Sequence, residues 1–348
     1  MEPRSSSGVF LIKTLKKRGA RQACAVINLA RTQWSEFYVQ SRISVESSSG
    51  FETRLGSDSG FILLANKSIR SIGNADRPIP SSGEQLPLVG VGTARRYNVD
   101  PNDATAVAPL REVIENIPTL GGKLVDTAPS YGNAETVLGN IFQELQIRDQ
   151  LFLSSKVRKE NFADAKAEIE QSFLKLKTDT IDLMYVHNLV GVNEVLPYLR
   201  DLKAEGRIRY YGVSTSFERQ HAEFEQVMGR EELDFIQVDY AIDNRSSGER
   251  IIPLAADRGV AVQANLPFGR GRVFEAFGDQ PIPDWAKEFD IESWAQFALK
   301  WIVSNPAVNS AMPGTAKLSY LQDNLGASRG RLPDEATRQR MAGLIDSA

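Results

Sequence analysis

Four side chains with complementary acid–base chemistry occur in order along this chain, each at or just beyond the end of an apolar, strand-like run. Asp126 closes Lys123–Asp126 and opens Asp126-Thr127-Ala128-Pro129-Ser130-Tyr131-Gly132; Lys156 closes Leu151–Lys156; His187 closes Thr180–His187. A phenol with an ammonium beside it is a proton donor: tyrosine alone titrates near pH ~10, and a neighbouring cation favours the phenolate. A lysine that ends a hydrophobic strand is costly to bury without an anion, and Asp126, one strand away, is placed to supply one. An imidazole in the same row can hydrogen-bond and orient a polar substrate. Taken singly, each residue has an ordinary reading: a turn aspartate, a surface lysine, a rim tyrosine, a satisfied buried histidine. Their joint order at strand ends carries the chemistry.

Those four residues need elements that bring strand ends together. Eight strand candidates follow one another: Leu88–Val91, Lys123–Asp126, Leu151–Lys156, Thr180–His187, Ile208–Ser214, Phe235–Asp239, Val260–Asn265 and Asn309–Met312. Helix-length stretches lie between most of them. Ala165–Leu176 is apolar at Ile169, Phe173, Leu174 and Leu176 with charges between, and Glu194–Ala204 and Glu218–Met228 are similar. Gly206, Gly229 and Gly259 stand where helices are expected to stop. Alternating strands and helices imply parallel pairing with right-handed crossovers. Eight units predict a closed (β/α)₈ TIM barrel, with a doubly wound open sheet as the alternative. In a barrel the C-terminal strand edge builds the active site, and strands about 4.8 Å apart let the four side chains converge. Pro78–Leu88, around Ser81-Ser82-Gly83, reads as a short hairpin.

Composition narrows the rest. The chain has 348 residues and a formal net charge of −3, which gives no case for nucleic acid as a partner. With one cysteine, Cys24, an intrachain disulfide is impossible. With only His187 and His221 besides, a His/Cys metal site is not expected. No apolar run approaches the ~20 residues of a spanning helix, so no membrane role is expected and the protein is read as cytoplasmic. Residues 1–76 form an N-terminal extension, basic over 1–44 and Ser/Gly-rich over 44–60. It is expected to be poorly ordered; a targeting segment or a misassigned start codon are the other readings. Residues 77–348 form the barrel.

The run Asp126-Thr-Ala-Pro-Ser-Tyr131-Gly-Asn-Ala-Glu135, then Lys156 and His187, with Gly212-Val213-Ser214 and Met312-Pro313-Gly314-Thr315 … Asp323-Asn324-Leu325, resembles the aldo-keto reductases over about residues 78–345. The resemblance implies that the hairpin plugs the bottom of the barrel. It implies reduction of an aldehyde or ketone by NADPH, with NADH possible. Tyr131 would donate the proton, tuned by Lys156 and Asp126, with His187 orienting the carbonyl. It also implies a cofactor site. Ser214, Thr215, Gln237 and Asn265 would lie at the nicotinamide, and Thr93 near its ring and ribose. Pro267, Phe268 and Gly269 would cover the pyrophosphate; Gly314, Thr315, Lys317, Asp323 and Asn324 would surround the adenosine end.

The chain departs from the pattern. Thr215 replaces a frequent asparagine, Asn265 a stacking tyrosine, and Ala94 an aromatic. Gly314 and Tyr320 stand where cations often grip a 2′-phosphate, with Lys317 or Arg270 as candidate substitutes. Arg95 and Arg96 either favour an anionic substrate or are solvated loop cations. Two other functions fit parts of the pattern: a cofactor-binding regulatory protein on the same fold, and a Schiff-base aldolase using Lys156. A small carbonyl compound is the expected partner, and the sequence does not give the oligomeric state.

Overall fold

A computed structural model describes residues 73–348. The expectations for residues 1–72 of the N-terminal extension, and for Cys24 within them, fall outside those residues; Asp76, assigned to the extension, instead pairs in the first hairpin strand. The chain enters with a hairpin of β1 (Asp76–Pro78) and β2 (Gln85–Pro87), paired antiparallel. Eight parallel strands follow: β3 (Val91–Gly92), β4 (Leu124–Asp126), β5 (Phe152–Val157), β6 (Ile181–His187), β7 (Ile208–Ser214), β8 (Phe235–Asp239), β9 (Ala261–Asn265) and β10 (Ser310–Ala311), in that spatial order.

The sheet closes on itself. Val89 bridges Ala311 and Gly92 bridges Gly314, both parallel, and Gly90 N–H donates to Ala311 O at 3.0 Å. Closure removes the open-sheet alternative. The helices between strands are α1 (Ala104–Asn116), α2 (Ala134–Leu145), α3 (Phe162–Leu176), α4 (Val192–Ala204), α5 (His221–Arg230), α6 (Ile251–Asp257), α7 (Arg272–Phe277), α8 (Trp294–Val303), α9 (Leu318–Gly326) and α10 (Glu335–Asp346). Side chains cap several: Asp103 accepts from Thr105 and Ala106 N–H ahead of α1, and Asn161 accepts from Asp164 N–H ahead of α3. Among the described residues, no helix is long and apolar enough to cross a membrane.

One helix boundary differs from the expectation. Gly229 lies inside α5, which runs on to Arg230 and stops at extended Glu231; glycine with free space around it costs a helix about 1 kcal/mol and does not by itself end one. The stretch 266–290 follows β9. It holds a 3₁₀ turn at Gly269–Gly271, α7, and a 3₁₀ segment at Asp284–Phe289, with Trp294 stacked on Phe277 at 3.7 Å between ring centroids.

Alternation along each strand sorts side chains to two sides. Val125, Leu153, Met184, Val186, Val213, Ile236 and Val262 join the large outer core under the helices. Leu124, Phe152, Leu183, Tyr185, Tyr210, Phe235 and Ala261 pack inside the barrel with Ile79 and Leu86 of the hairpin. The hairpin therefore plugs the N-terminal end, where Glu84 pairs with Lys123 at 3.1 Å and with Arg209. One step up each strand the inward residues turn polar: Asp126 follows Leu124, Ser154 and Lys156 follow Phe152, Gln237 follows Phe235. The barrel interior thus runs from an apolar floor to a polar C-terminal mouth.

Candidate active site

Asp126 and Lys156 meet inside that mouth. Lys156 is 1% exposed and donates to Asp126 Oδ2 at 2.6 Å and to the Thr127 carbonyl at 2.9 Å. The other carboxylate oxygen, Oδ1, accepts from Ser154 Oγ at 2.8 Å and Gln237 Nε2 at 3.0 Å. A buried ion pair is tolerated when its remaining valences are filled in this way. Desolvation pulls the Lys156 pKa down, but Asp126 and the Tyr131 phenol beside it outweigh burial and hold it above the ordinary lysine range. Lys156 is therefore a fixed cation.

Tyr131 reaches the same point from the loop after β4, on a 3₁₀ turn, Pro129–Tyr131. The Lys156 ammonium lies 5.2 Å from its ring centroid. Gly132 follows in a left-handed conformation (φ 66°), and a Cβ there would fall 2.1 Å from Asn98 Oδ1. The Asn98 side chain also accepts from Asn133 N–H at 3.0 Å, so the loop after β3 clamps the turn that carries the tyrosine. Burial pushes the phenol up and Lys156 pulls it down, and burial wins: the Tyr131 pKa is above its ordinary value. The expected net depression by Lys156 is thus corrected. The same closed pocket that brings the cation near also penalises the phenolate.

His187 ends β6, with its ring edge-on to Tyr131 at 6.3 Å between centroids. Burial, then the Lys156 and Arg158 charges, lower its pKa to about 3. The imidazole is neutral at physiological pH, and its buried Nδ1 has no hydrogen-bond partner among the described residues.

The remaining sequence-predicted residues line the rims of β3, β7, β8, β9 and β10. Thr93 is buried and donates from Oγ1 to the Asp126 carbonyl at 2.9 Å. Ser214 is level with Gln237 in the sheet, and Gln237 with Gln263. Gly212 lets β7 approach β8 there, since a Cβ would lie 2.0 Å from the Phe235 carbonyl. Asn265 Nδ2 donates to the Thr215 carbonyl at 3.1 Å, while its buried Oδ1 is unpartnered. Pro267, Phe268 and Gly269 lie in the turn after β9, with Phe268 packed on Phe274 at 5.0 Å. Gly314 is exposed with open space where a side chain would be. Asn324 Nδ2 donates to Thr315 Oγ1 at 3.0 Å. Lys317 is exposed, its ammonium 5.3 Å from the Tyr320 ring centroid.

Thr215 and Asp323 are likewise engaged inside the protein. Thr215 Oγ1 bonds Gln220 Oε1 at 2.6 Å and accepts from Phe217 N–H. The Asp323 carboxylate accepts from Ser293 Oγ and Gln296 Nε2 at 2.8–2.9 Å. Gln237, expected at a nicotinamide, spends its Nε2 on Asp126. Sequence reading gave Ser154 no role, although it shares the inward face of β5 with Lys156 at two-residue spacing, which was the available signal. It also quoted Glu135 without assigning it a place. That carboxyl is 1% exposed and accepts from Ser155 Oγ at 2.8 Å, behind the lysine strand.

The family described as "Aldo/keto reductase family" matches residues 89–341. A methylglyoxal reductase of Escherichia coli, YeaE, is 32% identical over 254 residues, 71% of this chain and 87% of that protein. An NADH-specific methylglyoxal reductase of the same organism is 25% identical over 274 residues, 63% of this chain and 83% of that protein. The crystal structure of an aldo/keto reductase from Klebsiella pneumoniae in complex with NADP and acetate covers 75% of this chain and 93% of its own, at 27% identity and a TM-score of 0.62.

Proposed function

This chain belongs to the aldo/keto reductase family, and from that premise we propose that it reduces small aldehydes or ketones to alcohols at the mouth of the barrel, using NADPH or NADH. The observation that carries the reading is the Tyr131–Lys156–Asp126 cluster with neutral His187 beside it.

The rim of β7 to β10 fits a nicotinamide dinucleotide. Asn265 Oδ1 is a buried acceptor with no partner, as a carboxamide N–H requires. Ser214 is buried alongside, and the open backbone at Gly314 and the exposed Arg270 and Lys317 suit phosphate. When bound in its reduced form the cofactor supplies the hydride. Everything else falls to the chain. Tyr131, protonated at neutral pH because its pKa is raised, donates its proton to the carbonyl oxygen. Lys156 stays charged and steadies the phenolate left behind. Asp126, tied by Ser154 and Gln237, holds that ammonium in place. His187, neutral, offers a ring N–H to the carbonyl and fixes its direction. The fixed Lys156 cation is a poor fit to a Schiff-base aldolase, which needs a neutral amine nucleophile.

The test is consumption of reduced-nicotinamide absorbance with methylglyoxal and with an aromatic aldehyde, for the native protein and Tyr131→Phe. Turnover is expected to fall by about 10²-fold or more, with cofactor affinity by fluorescence nearly unchanged. Undiminished turnover in the variant removes Tyr131 as the acid. Tight cofactor binding with no turnover in the native protein favours a regulatory protein on the same fold.

A further inference from the structure

Along β5, residues that point into the barrel alternate with residues that face the helices. Leu153 and Val157 of the outer face join the apolar layer there, but Ser155 between them is polar and fully buried. Its Oγ donates to Glu135 Oε1 at 2.8 Å. Glu135 stands in the first turn of α2, buried, and its other carboxylate oxygen has no hydrogen-bond partner among the described residues. An acidic residue in a first turn can favour its helix from the solvent side, with no need of burial. Burying a carboxyl with one oxygen unpaired is unfavourable, so helix stability does not account for its place.

The bond joins the carriers of two groups in the site. Ser155 immediately precedes Lys156, whose side chain points the other way, into the mouth. Glu135 follows Tyr131 across Gly132, Asn133 and Ala134, the last of which begins α2. Inside the mouth the Lys156 ammonium lies 5.2 Å from the Tyr131 ring centroid. Behind the strand, the Ser155–Glu135 hydrogen bond closes the same ring of residues. The other supports leave the phenol's distance from β5 open. Asp126 and the Thr127 carbonyl fix the ammonium end. Asn98 and Val99 hold Asn133 through its N–H and its Nδ2, both at 3.0 Å, which ties the turn to the loop after β3. Gly139 lets α2 pack on α3, where a Cβ would fall 2.0 Å from the Lys175 carbonyl, which sets helix against helix. Among the described residues, Ser155–Glu135 is the one side-chain hydrogen bond from α2 to β5.

We propose that Glu135 is a positioning residue for the reaction: through Ser155 it holds the turn that carries Tyr131 at a fixed height against β5, and so sets the separation of the phenol from the Lys156 ammonium. This rests on the reductase reading above. The link acts from the outer side of the barrel wall, so neither Glu135 nor Ser155 meets the substrate. Its effect is on rate: displacing a reacting group by about 1 Å can cost on the order of 100-fold.

The experiment measures the single-turnover rate of cofactor oxidation, cofactor affinity by fluorescence, and melting temperature. The substrate is saturating methylglyoxal or an aromatic aldehyde, whichever the native protein turns over. Glu135→Met removes the acceptor at similar length and should slow the single turnover about tenfold or more, with cofactor affinity nearly unchanged. Glu135→Gln keeps an oxygen for Ser155 and should restore most of that rate. Ser155→Ala breaks the same bond from the other side and should slow turnover alike; it carries the test if Glu135→Met does not fold. Gly139→Ala disturbs the packing of α2 on α3 without touching the link, and should lower the melting temperature while leaving the single-turnover rate near the native value. A native-like rate in either Glu135→Met or Ser155→Ala overturns this proposal alone. So does a loss in Gly139→Ala as large as theirs, or a Glu135→Gln rate as low as that of Glu135→Met. Absence of turnover by the native protein with both aldehydes overturns the reductase reading and this proposal together.

Discussion

Asp126→Asn tests the central ion pair by removing its negative charge at almost constant shape. In the native protein Lys156 is 1% exposed, and Asp126 is the largest influence opposing its burial. An asparagine Oδ1 can still accept from Lys156 where Oδ2 did, at 2.6 Å. Its amide then replaces the oxygen that accepts from Ser154 Oγ and Gln237 Nε2. The serine hydroxyl can rotate to accept; the Gln237 amide must turn over. Breaking a buried pair costs about 3–5 kcal/mol, and the surviving Lys156 contact puts this case near the lower end, about 3 kcal/mol.

The pH dependence is the sharper readout. Without Asp126, desolvation dominates and the folded Lys156 pKa drops below the unfolded value of about 10.4. The unfolded chain then binds more protons, so stability rises with pH. The deficit of the variant should be full at neutral pH and shrink as pH rises toward about 10. Urea unfolding of both proteins at several pH values between neutrality and that point measures it. A deficit below about 1 kcal/mol, as for an exposed pair, or one that does not change with pH, refutes the claim that Lys156 is held charged by Asp126.

Two further outcomes follow from packing and burial. Gly139 of α2 packs on α3, where a Cβ would fall 2.0 Å from the Lys175 carbonyl; Gly139→Ala should therefore cost about 1–3 kcal/mol by overpacking, seen as a lower melting temperature with little change in KM. Asp239, at the end of β8, is raised to about 6 by burial first and by Asp243 after it. The folded state binds the extra proton, so stability is lost as pH rises from about 4 to about 6. Asp239→Asn should be more stable than the native protein at pH above that window and no more stable below it, by thermal melting across pH.

Much of this protein is legible without coordinates. The eight strand candidates match β3 to β10 to within three residues at either end, because long buried runs such as Ile181–Val186 and the helix periods between them are local signals. The order Asp126, Tyr131, Lys156, His187 at strand ends was equally readable, since the two-residue alternation of a strand is set by its covalent geometry. What stayed hidden depends on which partner arrives from elsewhere in the chain. Gln237 donates to a carboxylate 111 positions away. Asp323 is taken up by Ser293 and Gln296 of another helix start. The Tyr131 phenol is pushed up rather than down because closure of the barrel desolvates it more than Lys156 compensates. Residue types and spacing determined the order of the carboxylate, the phenol, the ammonium and the imidazole, and the barrel edge beside which they stand. Only tertiary packing decided which of these groups are satisfied and how much water each keeps: hydrogen bonding and desolvation are set by neighbours in space, which no local run of sequence specifies.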